Sequence, residues 1–157
     1  MMRVELALYQ PDMPTNTGAL MRLCACLAVR LHVIHPLGFA FSRNRLRRTG
    51  LDYLDHVDFV EHASFAAFDA ARRAERRRLV LLSTGARQSV YDHSFSPGDI
   101  LMMGRESAGV PEDIATRADS CLRIPMRENL RSINVALAAG ISLSEATRQT
   151  EAFKELT

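Results

Sequence analysis

Four polar or glycine-containing segments each follow an apolar run of strand length. They read QPDMPTNTG from residue 10, STGARQS from residue 83, GRESAGVP from residue 104 and PMRENLRS from residue 125. These segments offer many backbone amides and carbonyls but few ionisable side chains. Gly85, Gly104 and Gly109 allow the main chain to approach a ligand closely, because glycine has no Cβ. The four segments therefore predict a site for a neutral, polarisable small molecule such as an adenosine, held mainly by backbone groups.

Motifs for other common chemistries are absent. The G-x-x-x-x-G at Gly104 and Gly109 is followed by Val110-Pro111, whereas a phosphate-binding loop requires Lys-Ser/Thr. No G-x-G-x-x-G follows a predicted strand, and no G-x-S-x-G is present. The five histidines lack metal-ligand spacing, and the single C-x-C pair lacks a second ligand pair. The sequence gives little support to a P-loop enzyme, a serine hydrolase or a metal site, and we predict no metal.

The elements that position these segments alternate along the chain. Apolar runs typical of buried strands occupy residues 4–9, 31–36, 57–61, 79–84, 99–104 and 120–125. Helical patterns lie between them, most clearly at 16–29, 64–78, 111–117 and 132–150. This alternation predicts an α/β fold, a mostly parallel sheet with helices on both faces, in a single domain over residues 1–157. Because the carboxyl ends of parallel strands share one edge, we expect the four segments to meet there.

The composition bears on where the protein works. No apolar run approaches the roughly 18 residues of a membrane span. The N-terminal segment breaks at Pro11 without a signal-type cleavage region. The three cysteines cannot all form disulfides within the chain, and we expect them to be reduced thiols. We therefore expect a cytoplasmic protein.

The basic residues are unusual in kind. Lys154 is the sole lysine among the twenty basic residues, and the guanidinium of arginine suits phosphate recognition because it offers two parallel donors. Two clusters stand out, RNRLRR from residue 43 and RRAERRR from residue 72. Each is either a nucleic-acid contact or a solvated surface. The loop setting of the first cluster favours RNA contact, and its arginines are Arg43, Arg45, Arg47 and Arg48.

The last predicted helix has unusually small side chains. The segment RIPMRENLRSINVALAAGISLSEATRQ, residues 123–149, passes from a strand end through a charged loop into this helix. Ala136, Ala138, Ala139 and Gly140 would allow the helix to pack almost against other backbone. The alternative is a buried alanine-rich helix with no special role.

Three segments, taken in order, resemble a known family. NTGALMRL from residue 16, LMMGRESAGVP from residue 101 and IPMRENLRSINVALAAGI from residue 124 are similar to the three motifs of the SPOUT class of S-adenosylmethionine-dependent RNA methyltransferases, in its 2′-O-methylating branch. The similarity runs over essentially the whole chain. The segments GFAF and RLRRTGLDY make it most like the small members that act on the wobble cytidine or uridine of tRNA.

The resemblance implies a fold and a cofactor. It implies a deep trefoil knot in the C-terminal half, which general rules of chain topology would not predict. It also implies that S-adenosylmethionine binds largely through main chain and leaves as S-adenosylhomocysteine. The residues that match the family's cofactor contacts are Leu82, Ser83, Thr84, Gly104, Glu106, Gly109, Ile124, Met126, Leu130 and Ser132.

The resemblance also implies a set of residues on the substrate side. These residues are Asn16, Arg22, Glu106, Ser132 and Asn134. We expect Asn16 and Arg22 to reach the same mouth of the site, whereas taken alone they read as a helix N-cap and a surface arginine. The implied reaction is attack of a ribose 2′-hydroxyl on the sulfonium methyl. Arg22 stays protonated at working pH, so its expected role is to bind a phosphate and stabilise developing negative charge.

Other assignments remain open from the sequence. One is a methyltransferase of the same fold acting on another tRNA or rRNA position. A second is a non-catalytic RNA-binding relative, and a third is a nucleotide-dependent oxidoreductase. The expected partners are tRNA and a second copy of the chain, since a homodimer would supply a broader basic surface.

Many relatives carry Tyr-Glu where this chain has Ser144-Glu145, which removes one aromatic contact.

Overall fold

The computed structural model describes residues 2–48 and 52–156. In this part the chain forms a seven-stranded sheet in the order β3-β2-β1-β6-β4-β7-β5, and every neighbouring pair is parallel. The strands are β1 Glu5–Tyr9, β2 Leu31–Ile34, β3 Phe59–His62, β4 Leu79–Leu82, β5 Gln88–Ser89, β6 Ile100–Met103 and β7 Ser120–Arg123. The parallel sheet expected from the alternating pattern is confirmed.

The central strands form where the sequence is continuously apolar. All residues of β1, β2, β4 and β6 are buried, because both faces of the sheet are covered. Each of the six predicted apolar runs contains or overlaps one strand of the sheet, namely β1, β2, β3, β4, β6 or β7. The short β5 has no such run, and its pairing of Gln88 with Leu122 and Ser89 with Arg123 was not predicted. Two residues carry no readable periodicity.

The helices form two layers. They are α1 Pro14–Leu27, α2 Arg43–Arg48, α3 Phe65–Ala74, α4 Glu112–Ala115 and α5 Val135–Gln149, with 3-10 turns at Asp52–Asp55, Val90–Asp92 and Ala152–Glu155. One core cluster joins α1 and α5 to one face of the sheet through side chains such as Leu20 and Leu143. The other joins α3 to the opposite face through Phe65 and Phe68. The prediction of helices on both faces is confirmed.

Two local predictions were wrong. The first arginine cluster is a helix rather than a loop, and the Ser42 hydroxyl accepts a hydrogen bond from the Arg45 amide at 3.4 Å near its start. The side chains of Arg47 and Arg48 lie outside what the structure describes. The last helix begins three residues later than predicted, at Val135.

The second arginine cluster is not a solvated face throughout. Arg72 is 5% and Arg77 7% exposed. The Arg72 guanidinium pairs with Asp69 at 2.7 Å, and Arg77 pairs with Glu5 at 2.5 Å. Arginine can bury its long aliphatic stem beside apolar residues when its charge finds a partner, and sequence composition does not show that partner. Both arginines therefore stabilise the fold at the amino-terminal edge of the sheet.

The connections determine what lies at the carboxyl-terminal edge. Strand β6 inserts between β1 and β4, and β7 between β4 and β5, so the loops after β4, β6 and β7 are neighbours. The deep knot implied by the family resemblance stays a prediction. Across residues 2–48 and 52–156, no helix combines the length and apolar character needed to span a membrane.

Candidate active site

A cavity of about 780 Å³ opens at the carboxyl-terminal edge of the sheet. The loops after β4, β6 and β7 line it, together with the first turns of α1 and α5. The lining residues are Met13, Asn16, Leu81, Leu82, Ser83, Thr84, Gly85, Ala86, Met103, Gly104, Arg105, Glu106, Ala108, Gly109, Val110, Ala115, Cys121, Arg123, Ile124, Met126, Ser132, Ile133, Asn134, Val135 and Ala138. Most of these residues are apolar or small. The expected meeting of the four segments is confirmed.

The loop after β6 folds back on itself at one wall of the cavity. The Arg105 amide donates to the Gly109 carbonyl at 3.0 Å, and the Gly109 amide donates to the Arg105 carbonyl at 2.9 Å. A Cβ added to Gly104 would lie 2.8 Å from the backbone of Gly109, which is closer than real contacts allow. Gly109 itself has φ of +63°, a conformation that favours glycine. Both glycines are therefore needed to shape this wall.

The turn after β4 forms the neighbouring wall. The Ser83 amide donates to the Leu122 carbonyl of β7 at 2.8 Å, which fixes the turn to the adjacent strand. The Ser83 hydroxyl accepts from the Gly85 amide at 3.3 Å. Thr84 and Gly85 are exposed at the cavity. This turn thus presents main-chain groups to the cavity, in keeping with the predicted backbone-lined site.

Two asparagines join the first turns of α1 and α5. Asn134 precedes α5 and caps it, because its side-chain oxygen accepts from the amides of Ala136 at 2.9 Å and Leu137 at 3.4 Å. Its side-chain Nδ2 donates to Oδ1 of Asn16 at 3.1 Å. Asn16 is not a helix cap, since α1 begins at Pro14 after Met13. The pair places two amides side by side at the cavity.

A carboxylate pair lies where the loop after β1 meets the loop after β6. The Asp12 amide donates to Oε2 of Glu106 at 3.1 Å, and the Ser107 hydroxyl donates to the Asp12 carboxylate. Burial, followed by the hydrogen bond to Asp12, raises the pKa of Glu106. Hydrogen bonds from Glu106 and Ser107 lower the pKa of Asp12. Of the two carboxyl groups, Glu106 is therefore the one that keeps its proton to the higher pH.

The remaining predicted RNA contacts are partly described. The Arg43 guanidinium lies 4.6 Å from the centre of the Phe59 ring, and Arg45 is exposed. Neither lines the cavity. Their role in binding RNA, together with that of Arg47 and Arg48, stays a prediction.

Two predicted site residues lie apart from the cavity lining. Arg22 stacks on Tyr53, with its guanidinium 4.7 Å from the ring centre and Nη2 3.4 Å from the hydroxyl. Six residues of helix turn the chain by about 600°, so Arg22 faces about 120° away from Asn16. Leu130 is 65% exposed and lies in a turn in which its amide donates a hydrogen bond to the Arg127 carbonyl. The other predicted cofactor and substrate residues all line the cavity, and their roles stay predictions.

The sequence did not single out some of the residues that build this site. Asp12 stands one residue before Met13 in a segment that was recognised, but its contact with Glu106 joins residues 94 apart in the chain. The Arg105 guanidinium lies 5.5 Å from the centre of the Tyr9 ring, and among the described residues its buried Nε has no hydrogen-bond partner. Only the fold brings these groups together. Within the described residues, no group of three or more His, Cys, Asp or Glu side chains is placed to hold a metal ion.

Comparisons with known proteins give this arrangement a family. The sequence profile of the SpoU rRNA Methylase family matches residues 3–144. The tRNA (cytidine(34)-2'-O)-methyltransferase of Beijerinckia indica is 53% identical over 151 residues, which cover 96% of this chain and 94% of that protein. The chain belongs to the SpoU methylase family.

Solved structures agree with this assignment. A structure described as giving insights into the 2-OH methylation of C/U34 on tRNA superposes with a TM-score of 0.87 and 42% identity, covering 94% of this chain and 96% of that chain. The SpoU methyltransferase AviRb from Streptomyces viridochromogenes, in complex with the cofactor AdoMet, has a TM-score of 0.80 and 27% identity. The superposition covers 94% of this chain and 57% of the AviRb chain.

Proposed function

We propose that the chain is a tRNA 2′-O-methyltransferase that modifies the ribose of cytidine or uridine at position 34, the wobble position. The observation that carries this proposal is the cavity, which joins the glycine loop after β6 to the Asn16–Asn134 pair. Two relatives that match 96% and 97% of the chain are named tRNA (cytidine(34)-2'-O)-methyltransferase. Two alternatives left open by the sequence were methylation of another RNA position and RNA binding without catalysis. The test below distinguishes both from the proposed function.

The cavity suits S-adenosylmethionine. Its walls are backbone and small side chains. On the β6 side, Gly104 has no room for a Cβ, and Gly109 has a positive φ that larger residues rarely adopt. Leu82, Ile124 and Met126 add apolar surface that suits an adenine ring. When bound, this cofactor supplies a methyl group on a positively charged sulfur, and transfer forms an oxygen–carbon bond as the sulfur–carbon bond breaks.

The chain's own residues act mainly by positioning the ribose. The Asn16–Asn134 pair offers an amide donor and acceptors at the cavity, and Ser132 offers a hydroxyl beside them. Glu106 lines the cavity, and its carboxyl can donate a hydrogen bond in the protonated form, which its raised pKa favours. Arg22, which stacks on Tyr53 outside the cavity lining, binds a phosphate of the RNA there, and a phosphate oxygen or water takes the proton that the 2′-hydroxyl loses.

The test is methyl transfer mapped to a single nucleotide. Unmodified tRNA and unmodified rRNA are each incubated with the purified protein and methyl-labelled S-adenosylmethionine, and the product is digested and analysed by mass spectrometry. We expect a 2′-O-methylated cytidine or uridine at position 34 of tRNA and none in rRNA. Methylation elsewhere contradicts the assigned position, and no methylation of either RNA contradicts the enzyme assignment.

We also propose that the protein works as a homodimer. Three large apolar side chains are exposed close to the cavity loops, Met13 at 45%, Leu130 at 65% and Leu137 at 64%. They lie near the starts of α1 and α5, where a second copy would cover them. Sedimentation velocity at micromolar concentration should give a dimer. A monomer with full activity would contradict this proposal.

A further inference from the structure

Arginines on the two edges of the sheet differ in their partners. Immediately before the strands, the guanidinium groups are paired: Arg30 with Asp58 at 2.8 Å, and Arg78 with Asp99 at 2.7 Å. Arg77, beside them, pairs with Glu5. These arginines already have a carboxylate, so they offer little to a phosphate ligand.

Four arginines near the carboxyl end of β7 have no such partner. Each is exposed, and within residues 2–48 and 52–156 none of the four forms an ion pair. One precedes β5, one ends β7 and two lie in the loop between β7 and α5. We call this set the β7 arginine surface: Arg87, Arg123, Arg127 and Arg131.

The position of this surface connects it to the cavity. Ser89 of β5 pairs with Arg123 of β7, so the two strand ends lie side by side at the outer edge of the sheet. Arg123 is exposed and also lines the cavity. The loop that carries Arg127 and Arg131 supplies Ile124, Met126 and Ser132 to the same cavity. The only acidic residue in this loop, Glu128, is exposed and forms no ion pair with them.

We propose that the β7 arginine surface binds the phosphates of the RNA strand that enters the cavity. This inference rests on the proposed function, and it adds contacts distinct from the arginines of α2. An unpaired guanidinium presents two parallel donors that match a phosphate, and exposed arginines do not have to break an existing ion pair. Contacts from the cavity's own loop would hold the backbone next to the target nucleotide while the ribose enters.

The experiment compares the loss of arginine charge at opposite edges of the sheet, two charges at one edge and one at the other. Arg127→Gln/Arg131→Gln removes two charges from the surface. Arg76→Gln is the control, because Arg76 is exposed, forms no ion pair with the residues that the structure describes, and lies between α3 and β4 at the other edge. Binding of unmodified tRNA is measured by fluorescence anisotropy at several salt concentrations with S-adenosylhomocysteine present. Calorimetry measures the affinity for S-adenosylhomocysteine alone.

We expect the double variant to lower the slope of log affinity against log salt by roughly 1.4 to 1.8, since each lost phosphate contact contributes about 0.7 to 0.9. The control should keep the parental slope, and cofactor affinity should be equal in all three proteins. A parental slope in the double variant would contradict phosphate binding by the β7 arginine surface. The proposed function would stand, because the parent would still methylate tRNA. Reduced S-adenosylhomocysteine affinity in the double variant also overturns it, since the arginines would then act by shaping the loop. A parent that neither binds nor methylates tRNA overturns both proposals.

Discussion

Charged side chains at the amino-terminal edge of the sheet are paired with one another, whereas those at the carboxyl-terminal edge are largely left for ligands. Asp58, Asp99 and Asp119 each stand directly before a strand and bond an arginine. At the other edge, Asp12 and Glu106 lie together, and the β7 arginine surface forms no ion pair within residues 2–48 and 52–156. The difference teaches that arginine content alone does not locate an RNA-binding surface. The pairing of each guanidinium is the basis on which we propose one.

The largest effect should come from breaking the buried network at the amino-terminal edge. Asp69 is buried and accepts from Arg72 and Arg117. Burial alone would raise the pKa of Asp69, but the Arg117 hydrogen bond and the arginine charges leave it lowered. Asp69→Ala leaves the Arg72 charge buried with fewer partners, so we expect a loss of about 3–5 kcal/mol in unfolding free energy, measured by urea titration.

A matched control for this change is Asp58→Ala, which breaks the exposed pair with Arg30 and should cost under about 1 kcal/mol. Because the pKa of Asp69 is lowered, its contribution is present above the pKa of the unfolded chain and is lost as pH falls through the folded value. The difference between parent and Asp69→Ala should therefore shrink in acid. Equal losses of unfolding free energy in the two variants would show that the buried ion pairs of Asp69 contribute no more to stability than the exposed pair of Asp58.

Arg22 tests whether a residue away from both edges serves stability or catalysis. Arg22→Lys keeps the charge but loses the planar fork, so turnover should fall on the order of a hundredfold, as for one lost transition-state contact. Unfolding free energy and S-adenosylhomocysteine affinity should stay near parental values. Turnover is measured at saturating tRNA and cofactor. Retained turnover would contradict the phosphate role, and unfolding would place Arg22 with the structural arginines through its contact with Tyr53.

Gly104 tests how tightly the carboxyl-terminal edge is built. A Cβ at this position meets the Gly109 backbone at 2.8 Å, and overpacking of this kind costs about 1–3 kcal/mol. If this cost falls on the bound state, Gly104→Ala should weaken S-adenosylhomocysteine binding by about five- to 150-fold in calorimetry.

Gly140→Ala is the control for that change. A Cβ there would meet Leu23 at 3.9 Å, an ordinary contact, and alanine stabilises a helix interior by roughly 0.5–1 kcal/mol relative to glycine. Cofactor affinity should not change. Were Gly104→Ala to bind as the parent does, the β6 loop would be more adaptable than its close backbone approach indicates.

The smallest effect concerns the carboxylate pair. Asp12→Asn removes the neighbouring charge, so the pKa of Glu106 should fall towards its ordinary range, although burial still opposes a complete return. In the parent, the contribution of Glu106 to stability is present below its unfolded pKa and lost as pH rises through the raised folded value. Carbon-13 NMR of labelled glutamates follows the titration. An unchanged Glu106 titration would mean that burial alone sets its pKa.

The sequence predicted the sheet and the place of the site better than it predicted individual side-chain partners. Continuous apolar runs indicated the strands, and parallel strands bring their carboxyl ends together, so Gly104 and Ser132 were expected at one edge. Pairing across the fold could not be predicted in the same way. The burial of Arg72 depends on Asp69 and on Asp119, 47 residues further along the chain. The direction of Arg22 depends on the helix phase relative to Asn16.

The cavity's reliance on main chain has a consequence for inhibitors. Carbonyls and amides remain in place whichever side chain a mutation introduces, so a compound that hydrogen-bonds to the turn after β4 or the loop after β6 would keep its partners in most variants. Escape would have to come from moving the backbone itself. At Gly104 any added side chain meets the Gly109 backbone, so a resistant variant would also disturb the site that we propose for the methyl donor.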